Sequence, residues 1–153
     1  MTPLSRGRRR PSMNRQAGFT LIELIAVIVI LAVLAVVAIP RYVDLRQDAG
    51  NASAAGIGGA ISSGAALNYA KGAARGAGAS TVTGCTATTL APMAGLAAAT
   101  AATIVNGATT YTLAGTGPAA SGAIAACTIQ ATSITGTTAQ SFSVIGCANA
   151  ACN

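Results

Sequence analysis

The chain has few of the side chains that carry out chemistry. Its 153 residues include no His and no Trp, and only three carboxylates against nine Lys and Arg. Residues 80–153 contain no acidic, basic or imidazole side chain at all. General acid–base catalysis and conventional metal sites need such groups. The composition therefore predicts a protein that is not an enzyme and that has neither a metal site nor a cofactor.

Aromatic residues are also scarce. They make up 3% of the chain although hydrophobic residues make up 52%, so most of the apolar content is Ala. Outside one long apolar run, the core of the folded part must therefore be thin. The length suits one small domain together with a targeting segment.

The net charge of +6 comes almost entirely from the N-terminal end. Without the five arginines that precede Phe19, four basic side chains face three acids, which leaves about +1. A basic segment ahead of an apolar run indicates a positive-inside membrane topology. Nucleic-acid recognition requires a basic patch on the folded domain, and we therefore expect no specific nucleic-acid partner.

The long apolar run extends from Phe19 to Ile39, and Glu23 is its one ionisable residue. As a helix these 21 residues would span about 31 Å, close to one hydrocarbon core of a bilayer. A carboxylate inside such a segment is costly, so it suggests a function.

Other signals fit this segment less well. A secretory signal cleaved after Val36-Val37-Ala38 would have an apolar region longer than the usual 7–15 residues or so. The arginines at 8–10 suggest a twin-arginine signal, but Pro11 and Ser12 follow where apolar residues would be needed. An uncleaved signal anchor remains open, although it gives Glu23 no role.

The stretch Gly18-Phe19-Thr20-Leu21-Ile22-Glu23-Leu24 resembles the class III signal peptide of type IV prepilins. The resemblance implies that prepilin peptidase cleaves after Gly18 and N-methylates Phe19. The leader would be residues 1–18, with Met13 as an alternative start and the same 135-residue product in either case. It also implies that Glu23 pairs, in a filament, with the N-terminal ammonium of a neighbouring subunit. Before assembly, Glu23 could instead simply reach the cytoplasmic interface of the membrane.

A second helical segment is expected over residues 40–76, after the transmembrane and assembly half at residues 19–39. Pro40 removes a backbone donor and is expected to kink the helix, the alternative being that the helix ends there. Asp44 and Asp48 indicate a solvated helical face. An apolar stripe of Ile57, Ile61 and Leu67 would pack on a sheet.

Residues 77–153 are expected to form a small β-sheet head domain. Asn106-Gly107 between two β-rich segments is a strong hairpin signal. Two further strands are predicted at residues 123–131 and 141–147, with Gly136 in the turn between them. Because this segment is rich in Thr, Ala, Ser and Gly, disorder is the alternative to a folded sheet. The predicted fold is α+β, a long N-terminal helix packed on a three- or four-stranded antiparallel sheet, as in type IV pilins.

The four cysteines all follow the apolar run, and their even number indicates disulfides with three possible connectivities. If the last two strands pair about Thr137, Cys127 falls opposite Cys147. That would leave Cys85 to pair with Cys152, and this is the connectivity we expect. A four-thiolate zinc site would require C-x2-C spacings, which the sequence lacks.

Residues 39–49 and the Gly- and Ala-rich segment after them are most similar to pilins of the mannose-sensitive haemagglutinin (MSHA) type, a branch of the type IVa pilins. The resemblance implies a structural subunit, most simply a major pilin, of a type IV pilus that serves adhesion or twitching motility. The subunit would reside in the inner membrane of a Gram-negative bacterium and then in an extracellular homo-oligomeric fimbrium built by the pilus assembly machinery. A minor pilin and a type II secretion pseudopilin are the alternatives. Major pseudopilins usually have a calcium site made of carboxylates, and this chain has none after Asp48.

Overall fold

The computed structural model describes residues 18–153. The predicted leader up to Ala17 lies outside the described residues. Contacts divide the chain into two units between Ile39 and Pro40, and each unit is described separately below. The elements, in chain order, are α1 (Leu21–Arg75), α2 (Ala87–Leu90), a 3₁₀ turn (Ala91–Ala94), β1 (Thr103–Asn106), β2 (Thr109–Ala114), β3 (Ile124–Ala131) and β4 (Gln140–Ile145).

Helix α1 contains Pro40 and ends at Arg75, so the helix does not end at the proline. The predicted kink at Pro40 stays a prediction. Gly76 follows the last helical residue with φ +67°, and its N–H donates to the carbonyl of Gly72 at 2.8 Å. A glycine in the left-handed region is a common helix stop because it has no Cβ to clash.

In the N-terminal unit, every described residue from Gly18 to Ile39 is exposed in the single chain. The apolar part of α1 reaches a mean hydropathy of 3.3 over 18 residues, which makes the helix long and apolar enough to cross a membrane. So much exposed aliphatic surface requires lipid or protein around it.

In the C-terminal unit, the strands form an antiparallel sheet in the order β1-β2-β3-β4. The predicted strands and the first hairpin are confirmed, but the turn is shifted by one residue. Asn106 pairs with Thr109, so Gly107 and Ala108 form the turn, with Gly107 at φ +60°. The observed pairing sets Ile104 opposite Tyr111 and brings two large core side chains together.

One face of the sheet packs on the second half of α1. The sheet contributes alternate residues to this core: Ile104, Tyr111, Leu113, Cys127, Ile129, Ala131, Phe142 and Val144. From the helix, Ile57 and Ile61 are buried as expected. Leu67 is 73% exposed, so its predicted place in the stripe is wrong. It lies six residues after Ile61, which turns it about 120° away from the buried side.

Glycines let α1 approach the sheet closely. A Cβ on Gly50 would lie 2.8 Å from Cγ2 of Thr137, and a Cβ on Gly58 would lie 3.1 Å from Phe142. The glycines that weaken the isolated helix thus permit its packing in the folded unit.

The predicted disulfide connectivity, Cys127 with Cys147 and Cys85 with Cys152, is wrong. The structure joins Cys85 to Cys127, with Cα atoms 5.7 Å apart, and Cys147 to Cys152, with Cα atoms 4.5 Å apart. The predicted pairing assumed strands centred on Thr137, whereas the structure sets Cys127 opposite Phe142.

The register of β3 and β4 explains this outcome. Side chains alternate between the two faces of a strand, so the assumed register would have turned Phe142 and Val144 outward and two serines inward. The observed register buries Phe142 and Val144. Cys147 then lies beyond the end of β4, where it pairs with Val82 through two backbone hydrogen bonds of 2.8 and 3.1 Å.

Candidate processing and assembly site

The predicted cleavage site lies just ahead of α1. Gly18, Phe19 and Thr20 are not helical, and the Phe19 side chain is 89% exposed. An extended, exposed backbone is what a protease needs, and Gly18 has no side chain to obstruct its approach. A Cβ on Gly18 would meet nothing within 4 Å among residues 18–153, so packing within this part of the chain does not require glycine here.

Thr20 and Glu23 cap the start of α1. The carboxylate of Glu23 accepts hydrogen bonds from the backbone N–H and the hydroxyl of Thr20, both at 2.8 Å. The hydroxyl of Thr20 in turn accepts the N–H of Glu23 at 3.4 Å. The N–H of Leu24 donates to the carbonyl of Thr20, which makes Thr20 the N-cap residue. This reciprocal arrangement is a capping box.

The sequence analysis missed this role for Glu23, although the signal is present. Thr20 and Glu23 have the Thr-x-x-Glu spacing, followed directly by an apolar run. That pattern typically marks a helix N-terminus. Glu23 thus contributes to the structure of a single subunit, whatever it does in an assembly.

The charges available at this site depend on whether the chain has been cleaved. In the intact chain the nitrogen of Phe19 is an uncharged amide, so Glu23 finds neutral donors in Thr20. Cleavage after Gly18 would convert that nitrogen into an ammonium. The charge partner that the sequence predicts for Glu23 therefore exists only in a processed chain.

The remaining predicted site residues lie elsewhere. Pro40 is inside α1, and the four cysteines are in the C-terminal unit. Within residues 18–153, no group of three or more His, Cys, Asp or Glu side chains gathers in a way that could hold a metal ion.

Comparison with known families yields one match, at the N-terminal end. Residues 13–39 match the model of the prokaryotic N-terminal methylation motif. No curated protein and no solved structure matches the chain significantly. The matched range includes Gly18, Phe19 and Glu23, the residues that the sequence analysis assigns to processing and assembly.

The motif and the fold together support a type IV pilin-like protein. The motif implies processing by prepilin peptidase and contact with an assembly machinery, and it fits an inner-membrane precursor. Proteins of this class are structural subunits and not enzymes. The long helix α1, whose second half packs on a four-stranded antiparallel sheet, and the two disulfides are consistent with the α+β fold of type IV pilins.

Proposed function

We propose that the protein is a structural subunit, most simply the major pilin, of a type IV pilus used in surface adhesion or twitching motility. Prepilin peptidase cleaves it after Gly18 and methylates Phe19, and the processed helix assembles into a homo-oligomeric filament. The observation that carries this proposal is the matched motif. The matched range includes Gly18 and Phe19, and it continues into a capped apolar helix whose residues are exposed as far as Ile39.

Glu23 has two successive roles in this proposal. In the membrane it caps its own helix through Thr20. When a subunit enters the filament, its Phe19 ammonium pairs with the Glu23 carboxylate of a neighbour. Two charges in an apolar environment recover part of their lost solvation when they pair, whereas one left alone is strongly unfavourable. The pair would thus fix the axial position of the entering subunit, as a buried polar residue fixes the register of a coiled coil.

The absence of carboxylates after Asp48 in the sequence favours a pilus over a major pseudopilin. Calcium sites are built from several oxygen ligands, usually with carboxylates among them. Residues 39–49 and the segment after them also support the MSHA branch of the type IVa pilins. A minor pilin or a minor pseudopilin has no feature here that favours it.

In this proposal the sheet faces outward. Its outer face presents hydroxyl and amide side chains, including Thr110, Thr112, Thr128, Gln130 and Ser143. An uncharged, hydroxyl-rich surface of this kind suits attachment to surfaces and offers sites for glycans. The filament would extend outside a Gram-negative cell, after an inner-membrane stage as a single-pass precursor.

Mass spectrometry of filaments sheared from the cell surface tests the proposal. We expect a 135-residue chain that begins with N-methyl-Phe19 and whose mass rises by four hydrogens on reduction. A chain cleaved after Gly18 but confined to the membrane fraction would indicate a pseudopilin instead. A chain that is intact, or cut elsewhere, would contradict the processing step itself.

A further inference from the structure

All charged side chains of the C-terminal unit lie on one element. From residue 40 onward the chain has two acids and four bases, and all of them fall between Arg41 and Arg75 on α1. Asp44, Asp48, Lys71 and Arg75 are all exposed. Electrostatic contact with another molecule therefore has to involve this helix.

The two acids form one pair and two of the four bases form another with matched spacing, whereas Arg41 and Arg46 lie beside the acids in the sequence. Asp44 and Asp48 are four residues apart and share one side of the helix, as do Lys71 and Arg75. Lys71 follows Asp44 by 27 residues, and Arg75 follows Asp48 by the same number. That separation is about 7.5 helical turns and about 40 Å along the axis. The acidic pair and the basic pair consequently lie on opposite sides of α1.

Asp44, Asp48 and Lys71 lie away from the side of α1 that packs on the sheet. Arg75 lies in line with the buried Ile57, five turns earlier, but it is the last helical residue and is itself exposed. The buried residues Ala54, Ile61 and Ala65 define a third side of the helix, between the acidic and the basic one. Both pairs thus remain accessible to another molecule. Arg41 lies one turn before Asp44 and offsets part of the negative charge there, which leaves one net acid against two bases.

This arrangement complements a second copy of the same chain in the same orientation. A copy beside the acidic side, displaced by about 40 Å along the helix axis, turns its basic side toward the first copy. Because both spacings are 27 residues, one displacement brings Lys71 opposite Asp44 and Arg75 opposite Asp48. A contact between unlike surfaces that also displaces each copy along the axis cannot close into a ring, so it generates an open row of subunits.

We propose that Asp44 and Asp48 of one subunit bind Lys71 and Arg75 of another, displaced by about 40 Å along the filament. The inference rests on the proposed assembly into a filament and adds to it a specific lateral contact. Exposed ion pairs are individually weak and are screened by salt. Their role here is to select the displacement. Arg46 lies on the same side of the helix as Lys71 and Arg75, so a copy with no displacement would set one base, instead of two, opposite the two acids.

Charge reversal and its rescue test the contact in cells, with filaments quantified after shearing. Lys71→Glu with Arg75→Glu should lower the filament yield at least about tenfold, and Asp44→Lys with Asp48→Lys should do the same. All four changes together should restore the yield, because the pairs are rebuilt with opposite sign. Normal filaments from both half-reversals would overturn the contact. The contact would also be overturned if the quadruple variant reached the normal level in the membrane and were cleaved normally, but its filament yield did not recover.

Cysteine cross-linking tests the same contact without reversing any charge. Filaments of Asp48→Cys/Arg75→Cys should give a ladder of disulfide-linked chains on a non-reducing gel. Asp48→Cys/Ala60→Cys is the matched control. Ala60 is exposed, but it lies about 22 Å nearer the N-terminal end of α1 than Arg75 does. Equal ladders from both variants, or none from either, would overturn the proposed displacement. Absence of wild-type filaments would instead overturn the pilus function, and this contact with it.

Discussion

At the scale of single residues, Glu23 is the most informative position. Its isolation in an apolar run predicts a function, and the structure adds the capping box with Thr20. The sequence was sufficient for both conclusions, because the spacing of Thr20 and Glu23 is local. The partner proposed for it in a filament would lie on another chain, and neither the sequence nor a single subunit contains such a contact.

The two roles of Glu23 can be separated by mutation. Glu23→Ala removes the carboxylate and should abolish filaments while leaving cleavage after Gly18 intact. Thr20→Val removes the capping hydroxyl but keeps the carboxylate. Loss of an N-cap costs about 0.5–2 kcal/mol of helix stability, which a membrane-embedded helix can absorb. Thr20→Val should therefore still assemble, as measured by sheared filament yield alongside the ratio of processed to unprocessed chain. Equal loss of filaments in both variants would assign the effect to capping and not to pairing between subunits.

Gly50 is a residue whose role in packing α1 on the sheet the sequence suggests only in general terms. Small residues on α1 predict close packing, but only the structure identifies which glycines face the sheet. The neighbour of Gly50, Thr137, is fixed because its hydroxyl donates to the carbonyls of Ala131 and Ile134 at 2.6 and 3.1 Å. A Cβ at Gly59 would meet nothing within 4 Å.

We predict opposite effects of alanine at these two positions. Gly59→Ala should raise the free energy of unfolding by up to about 1 kcal/mol through helix propensity. Gly50→Ala should lower it by about 1–3 kcal/mol, because the new methyl group overlaps Thr137 and overpacks the interface. Denaturant unfolding of the full chain in detergent, followed by circular dichroism, measures both. Stabilisation by Gly50→Ala would mean that Thr137 can move aside.

At the scale of elements, the strands of the sheet could be predicted from the sequence more accurately than the disulfide pairing. Hairpin signals are local, so β1 and β2 and the turn at Gly107 could be recognised within one residue. The disulfides depend on the β3–β4 register, which is decided by the burial of Phe142 and Val144. The assumed register set Cys127 opposite Cys147, whereas the observed partner is Phe142, five residues earlier. A change in register of an odd number of residues exchanges the two faces of a strand, so this error also reversed which residues of β4 are buried.

The two disulfides should differ in their contribution to stability. Cys85 and Cys127 are 42 residues apart, whereas Cys147 and Cys152 are separated by five. Closure of the longer loop removes more entropy from the unfolded chain, about 4 kcal/mol against about 2 kcal/mol on the chain-entropy model. Cys85→Ser/Cys127→Ser should therefore lower the free energy of unfolding more than Cys147→Ser/Cys152→Ser. The reverse order, in the same denaturant experiment, would show that packing of the C-terminal loop against Gly72 outweighs loop entropy.

At the scale of the whole molecule, ionisable groups are confined to a few segments. The C-terminal unit has no His, and its two carboxylates, Asp44 and Asp48, lie on exposed turns of α1. His is the side chain whose ordinary pKa, about 6.5, lies in the neutral range. The unit therefore lacks the side chain that ordinarily changes its charge near neutral pH.

This distribution predicts a fold whose stability does not depend on pH in that range. The slope of the unfolding free energy with pH is set by the difference in bound protons between the unfolded and folded states. Because the unit has no His, which would ordinarily contribute such a difference near neutral pH, the unfolding midpoint should be constant from about pH 5.5 to 8.5. Filament assembly should respond differently, because deprotonation of the Phe19 amine at higher pH removes the partner of Glu23. Disassembly of sheared filaments at a pH where the subunit fold is unchanged would separate the two; a shift of the unfolding midpoint in parallel with disassembly would contradict the prediction.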